Sequence, residues 1–240
     1  MTDTEKKVIK DLKKELDFLY KVTKDVHSLE IDSLLREIVK IAVEVSDSDS
    51  CLIYVLDPQK NELVLRASKN PRPQLLKKIK MKLGEGITGW VAREKKPVAI
   101  PKGAARDPRF KLFRSLPEDK FEAFLSVPII NKHGVCGVIN VQHQKKHDHS
   151  PMEINLLAAI GKLVGGAVEN ALLIETTLEL KEALDIRKIV EKAKGILMKK
   201  IGLSEDEAFN RLRRESMNSR KSLKEVSEAV ILAGRFKFGT

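Results

Sequence analysis

Phe124–Gln142 reads FLSVPIINKHGVCGVINVQ, two runs rich in β-branched and apolar residues on either side of the turn NKHG, Asn131–Gly134. Such runs around a glycine-containing turn are the signal of a β-hairpin. The same signal occurs upstream, where CLIYVLD (Cys51–Asp57) and ELVLRAS (Glu62–Ser68) flank PQKN. Between the two hairpins, Gly84 and Gly86 permit a tight reversal. GITGWVAREK then reads as a short helix and PVAIP as a brief strand. Outside the hairpins the apolar period lengthens. Residues 31–46 are spaced as an amphipathic helix that ends in the turn-rich SDSDS. From Pro151 onward Leu156, Ile160, Leu163, Ala167, Ala171, Ile174 and Leu178 repeat at helical intervals. An antiparallel sheet with helices at both sequence ends is an α+β layout.

Among the 240 residues, 45 Lys+Arg against 34 Asp+Glu give a net charge of +11, and 42% of residues are hydrophobic. That is enough apolar material for a core. The charge is unevenly placed: Lys181–Thr240 holds 15 Lys+Arg and 9 Asp+Glu, a net of +6 in a quarter of the chain. A small basic helical tail on a more neutral body points to a nucleic-acid effector joined to something that controls it. The start, MTDTEKKVIK, is polar and unlike a signal peptide. The run INLLAAIGKLVGGAV is short and interrupted by Lys162, so no membrane span is expected. Two cysteines in apolar runs give no disulfide framework, which fits a reducing cytoplasm. Residues 5–29 place Ile9, Leu12, Leu16, Leu19 and Val26 on a narrow heptad-like stripe. The stripe marks 1–30 as a dimerisation helix and the protein as a homodimer.

Several polar residues invite a chemical reading. His143, His147 and His149 lie in QHQKKHDHS, and imidazoles with a carboxylate can bind zinc or nickel. Lys145 and Lys146 stand among them and repel a cation, so the stretch is read as a solvated loop without metal. Cys51 and Cys136 fall inside strands and are read as small core residues, not nucleophiles. No catalytic residue is assigned. Trp90 is expected to pack between helix and sheet, and Arg109 to pair with a nearby acid.

The tail reads as three short helices. Gly202 ends the first, after Lys199 and Lys200. Ser204 with Glu207 and Ser222 with Glu225 form capping boxes for the second and third. Around the first helix Ile186, Ile189, Val190, Ala193, Ile196 and Leu197 share one arc. Lys188, Lys192 and Lys199 share the other, with Gly195 among them, and Arg187 and Lys194 form an adjoining polar strip. In the second helix Ala208, Phe209 and Leu212 are expected to face inward, Arg211 and Arg214 outward, and Arg213 at the border. Leu223, Val226, Val230 and Ala233 complete the expected core.

Two families are visible in these blocks. Residues 31–175 resemble a GAF domain through LGEGITGWVAREKKPVAIP, the ARDPRF loop and SVPIINKHGVCGVINVQ leading into a helix. The resemblance implies a sensor that takes a small-molecule signal against its sheet. The cyclic-nucleotide signature of some members is not legible here, since Asn140 is followed by Val141 rather than Lys. The tail, 181–240, resembles the ANTAR domain of transcription antiterminators. It does so through Arg187–Ile189, AKGILM (Ala193–Met198), SEDEAF (Ser204–Phe209), Leu212–Arg213 and LKEVSEAV. Ser216 stands where that family usually has alanine.

The resemblance implies binding of hairpin RNA in nascent transcripts so that a terminator does not form. Lys188, Lys192, Lys194, Lys199, Arg211, Arg213 and Arg214 are the candidate contacts, since RNA offers phosphates and splayed bases to such cations. Residues 151–185 become the signalling helix, overlapping the sensor and running into the effector without a Pro or Gly linker. Three other readings compete. A helix-turn-helix DNA regulator would need a basic third helix, and LKEVSEAVILA carries one Lys against two Glu. A dimerising scaffold would use the basic face for an acidic protein. A GAF-type methionine sulfoxide reductase would need reactive thiols.

Overall fold

A computed structural model describes residues 30–70, 73–111, 113 and 120–235. The heptad stripe of 5–29 lies outside these residues. The chain divides into two compact units, Met1–Glu175 and Thr176–Thr240.

In the first unit, α1 (Ile31–Ser46) is followed by β1 (Ser50–Asp57), β2 (Glu62–Ser68), β3 (Lys80–Lys82), α2 (Gly86–Glu94) and β4 (Val98–Ile100). A 3-10 turn at Ala104–Arg106, β5 (Ala123–Asn131) and β6 (Gly134–His143) lead into α3 (Pro151–Ile201), within which the division between the units falls. The six strands form one antiparallel sheet in the order β3-β2-β1-β6-β5-β4. Both hairpins read from the sequence are present, β1–β2 and β5–β6. Strand β3 was not foreseen. Only Met81 of its three residues points inward, too little alternation to read.

Side-chain alternation sorts the apolar residues onto two cores. On one face Cys51, Ile53, Leu125, Val127, Ile129, Ile139 and Val141 meet Leu34, Leu35 and Ile38 of α1 and Leu157, Ile160 and Val164 of α3. On the other, Leu52, Tyr54, Phe124 and Val138 meet Ile87 and Val91 of α2 and Leu63, Leu65 and Met81. With both faces covered, the central strands are buried along most of their length. Helix α3 is long and apolar enough to cross a membrane by length and composition alone. Its Leu157, Ile160, Val164, Val168 and Ala171 are instead buried in the core of the first unit.

Two glycines let α3 lie directly on β5. A Cβ at Gly161 would sit 2.4 Å from the Pro128 carbonyl oxygen, and one at Gly165 would sit 2.0 Å from that of Ile130. No side chain fits between helix and strand there. Under α2 the second core encloses a polar chain: Ser126 Oγ donates to Asn140 Oδ1 at 2.7 Å, and Asn140 Nδ2 donates to Thr88 Oγ1 at 2.8 Å. Each of these polar groups is thereby satisfied inside the core.

Candidate nucleic-acid interface

The second unit is built from the end of α3 with α4 (Glu205–Ser219) and α5 (Leu223–Arg235). Gly202, at φ +75°, terminates α3, the left-handed conformation that glycine adopts without a Cβ penalty. Both expected capping boxes form. Ser204 N–H donates to Glu207 Oε2 at 2.8 Å, and Glu207 N–H returns to Ser204 Oγ at 3.3 Å. Ser222 N–H donates to Glu225 Oε2 at 2.7 Å, and Glu225 N–H to Ser222 Oγ at 3.2 Å. Two helix starts are thus fixed locally, and the buried apolar set can be small: Val190, Ala193, Leu197, Ala208, Leu212 and Val226.

The core differs from the expectation in two places. Ala233 is exposed, while its neighbour Gly234 takes the inward position, where an added Cβ would meet Ile196 Cγ2 at 2.9 Å. Phe209, expected to face inward, is 40% exposed. Ala208 and Leu212 already fill the inward face of α4, and one residue further round the helix leaves the phenyl ring at the rim. Arg213 and Met217 follow Phe209 at intervals of four and are exposed as well. Phe209 is therefore an exposed aromatic ring on the same side of α4 as Arg213, where the sequence places it in the core. The signal that could have found it is the i, i+4, i+8 spacing of the three residues on α4.

Of the seven candidate cations, six are exposed: Lys188, Lys192, Lys199, Arg211, Arg213 and Arg214. Lys188 makes a loose 3.4 Å pair with Asp185. Among the described residues the other five exposed cations make no ion pair. At 100° per residue, Lys188, Lys192 and Lys199 lie within one narrow arc of α3. Gly195 lies in the same arc, and an added Cβ there would meet no described atom within 4 Å beyond its own helical turn.

Lys194 is placed differently. Only 7% exposed, it donates to Glu205 Oε1 at 2.7 Å and to Glu191 Oε1 at 2.9 Å. Those hydrogen bonds, Glu205 first, hold its ammonium above the usual lysine range. Its charge is engaged inside the unit.

In the first unit the cysteines are buried, and burial pushes both thiols up to about 12. A thiolate nucleophile needs the opposite shift. Arg109 pairs with Asp107 as expected, its Nε and Nη2 donating at 2.9 and 2.8 Å. The hydrogen bonds from Arg109 outweigh burial and hold Asp107 below the usual carboxylate range. The same guanidinium lies 4.9 Å from the centre of the Trp90 ring, which packs half-buried against the second core.

A GAF-domain family model matches residues 28–169, more than half of the chain, and an ANTAR-domain model matches residues 178–231. The chain belongs to the GAF family. Behind the GAF domain it carries an ANTAR domain. The transcriptional regulatory protein PdtaR of Mycobacterium tuberculosis is 38% identical over 77 residues, covering 32% of this chain and 38% of that protein. The phosphoenolpyruvate-dependent phosphotransferase system protein of Escherichia coli is 31% identical over 86 residues, 36% of this chain. The match spans only 11% of that protein's length. Among solved structures, the GAF domain of the Acinetobacter phosphoenolpyruvate-protein phosphotransferase superposes with a TM-score of 0.59 at 24% identity. That superposition covers 68% of this chain and 97% of the other, a likeness of fold.

Proposed function

We propose that this protein is a cytoplasmic, signal-responsive transcription antitermination regulator without enzymatic activity. Its ANTAR domain binds hairpin RNA in nascent transcripts, under the control of a small-molecule signal, as yet unidentified, taken by the GAF domain. The observation that carries the reading is the face of α3 on which Lys188, Lys192 and Lys199 surround Gly195. A glycine inside a helix costs about 1 kcal/mol relative to alanine. Among the described residues nothing beyond its own helical turn packs on Gly195 to explain it. An RNA backbone approaching closely between three ammonium groups does explain it. Arg211, Arg213 and Arg214 extend the charge along α4, Phe209 offers a base-stacking surface, and Lys194 holds α4 against α3. The relative PdtaR is a transcriptional regulatory protein, which agrees with this class. A homodimer through 1–30 is part of the proposal, supported by the exposed Leu178, Leu180 and Leu184 on α3.

The test is binding of the full chain to a two-hairpin leader RNA, with scrambled RNA and duplex DNA as competitors, at two salt concentrations. Selective binding that persists at the higher salt and falls in Lys192→Glu is expected. Equal affinity for all three nucleic acids, by both the full chain and residues 176–240 alone, would overturn the reading, since charge by itself binds non-specifically and fades with salt.

A further inference from the structure

Three histidines converge where β6 gives way to α3. His143 is the last residue of β6, and His147 and His149 lie in the connection to Pro151. The His143 and His147 rings stack with centroids 3.9 Å apart and planes 3° from parallel. His149 stands edge-on to His147 at 4.7 Å. One ring nitrogen from each lies within 4.8 Å of those of the other two. This is not the solvated loop the sequence suggested: His143 is 6% exposed and the His149 side chain 1%.

Each ring has one nitrogen already committed. His143 Nε2 lies 2.9 Å from the Ser46 carbonyl oxygen. His147 Nε2 is 2.9 Å from Glu153 Oε2, and His149 Nδ1 is 3.0 Å from Glu153 Oε1. Carbonyl and carboxylate oxygens only accept, so these three nitrogens carry protons. In each neutral ring the opposite nitrogen then presents a lone pair. Among the described residues, His143 Nδ1 and His149 Nε2 are buried with no hydrogen-bond partner. Leaving such a group unsatisfied in the interior is unfavourable. Two of them beside a third imidazole call for an occupant that accepts electron pairs.

We propose that His143, His147 and His149 bind a divalent transition ion of the zinc class, with Ser46 and Glu153 as the acceptors that fix the rings. An acceptor behind each ligating imidazole is the recurrent arrangement of histidine metal sites, because it sets the tautomer and the ring plane. Imidazole nitrogens select zinc, copper or nickel over magnesium and calcium. Tetrahedral zinc with Zn–N bonds of about 2.0–2.1 Å needs nitrogens about 3.4 Å apart, so on binding the half-exposed His147 ring swings out of its stack on His143 until the lone pairs converge on the ion. Water takes the fourth position. Lys146, which argued against a cation, is paired with Asp148 at 2.9 Å. The ion would tie the end of α1 to the end of β6 and, through Glu153, to the first turn of α3.

The full chain, stripped with a chelator, is titrated with Co2+ by visible absorption and with Zn2+ by calorimetry. One ion per chain is expected, with the absorption bands of tetrahedral cobalt that Zn2+ displaces. Glu153→Gln should weaken binding about 10–100-fold. His147→Ala and His149→Ala should each abolish stoichiometric binding. Circular dichroism of the metal-free variants checks their fold, and His147, the more exposed ring, keeps the test independent of core damage. Absence of stoichiometric binding in the wild type, or its survival in both folded variants, would overturn the site.

Discussion

Lys194 of α3 donates to Glu205 in the first turn of α4 at 2.7 Å, joining two helices of the ANTAR domain by one charged contact. Glu205, held below the usual carboxylate range mainly by this hydrogen bond, also sits where the helix dipole favours an anion. Lys194→Met should therefore lower the Tm of the domain by several degrees, and Glu205→Gln should do the same. RNA binding should weaken only as far as the folded fraction falls. A Lys194→Met protein with unchanged Tm and lost RNA binding would instead make the ammonium a direct contact.

Gly195→Ala is expected to split stability from function. The helix gains about 0.5–1 kcal/mol, because alanine loses less backbone freedom and its methyl meets no described residue beyond its own helical turn. RNA affinity should fall, because the added methyl stands where the backbone of the ligand would approach. Thermal melts and a binding titration on the same sample read both effects.

Phe209→Ala should leave the Tm nearly unchanged, since the ring is only partly covered. If a base stacks on it, affinity falls by about 1–3 kcal/mol. Lys192→Ala, by contrast, should weaken all RNA sequences alike and lower the slope of log affinity against log salt by about 1. The two variants together separate base contact from phosphate contact.

In the GAF domain Arg66 donates to Asp32 at 2.9 Å and to Glu175 at 2.9 and 3.0 Å, linking α1, β2 and α3. Burial pushes the Asp32 carboxyl up, and the Arg66 guanidinium outweighs it, leaving the folded value below the ordinary one. The stabilisation is thus complete above the unfolded carboxylate value of about 3.9 and is lost as pH falls through the lower folded value. Asp32→Asn should flatten the acid limb of a stability–pH curve below about pH 4. Arg66→Met should cost about 2 kcal/mol near neutrality, less than a fully buried pair because Asp32 is partly solvated.

Gly165→Ala and Gly166→Ala are adjacent substitutions with opposite expected signs. The first drives a methyl to within 2.0 Å of the Ile130 carbonyl oxygen, while the second meets nothing within 4 Å among the described residues. Denaturant melts should show a loss of about 3 kcal/mol for Gly165→Ala, at the upper end of overpacking costs. For Gly166→Ala they should show a gain of about 0.5–1 kcal/mol.

The parts of the molecule legible in sequence are those whose cause is local. Helix α1 has the bounds that its apolar spacing gives, and Ser204 and Ser222 cap the helices they were read to cap. The hairpins follow from alternation and turn residues. What could not be read depends on contacts distant in sequence. The three histidines occupy seven residues of chain, but Ser46, ninety-seven residues before His143, is what orients the first ring. Lys194 sits in a polar strip on a helical projection, and only the position of Glu205 makes it internal. Phe209 looked like core because it is apolar and adjacent to Ala208. The space was already taken by Ala208 and Leu212.

The glycine contact between α3 and β5 also limits how the two elements can move past one another. A slide of α3 by one turn, about 5.4 Å, would set Glu169 opposite Ile130 in one direction and Leu157 opposite Pro128 in the other. Neither side chain fits where the gap admits no Cβ at all. A piston stroke is closed to this helix. Helix and strand must tilt or rotate together, so displacement of β5 is passed to α3 without slippage.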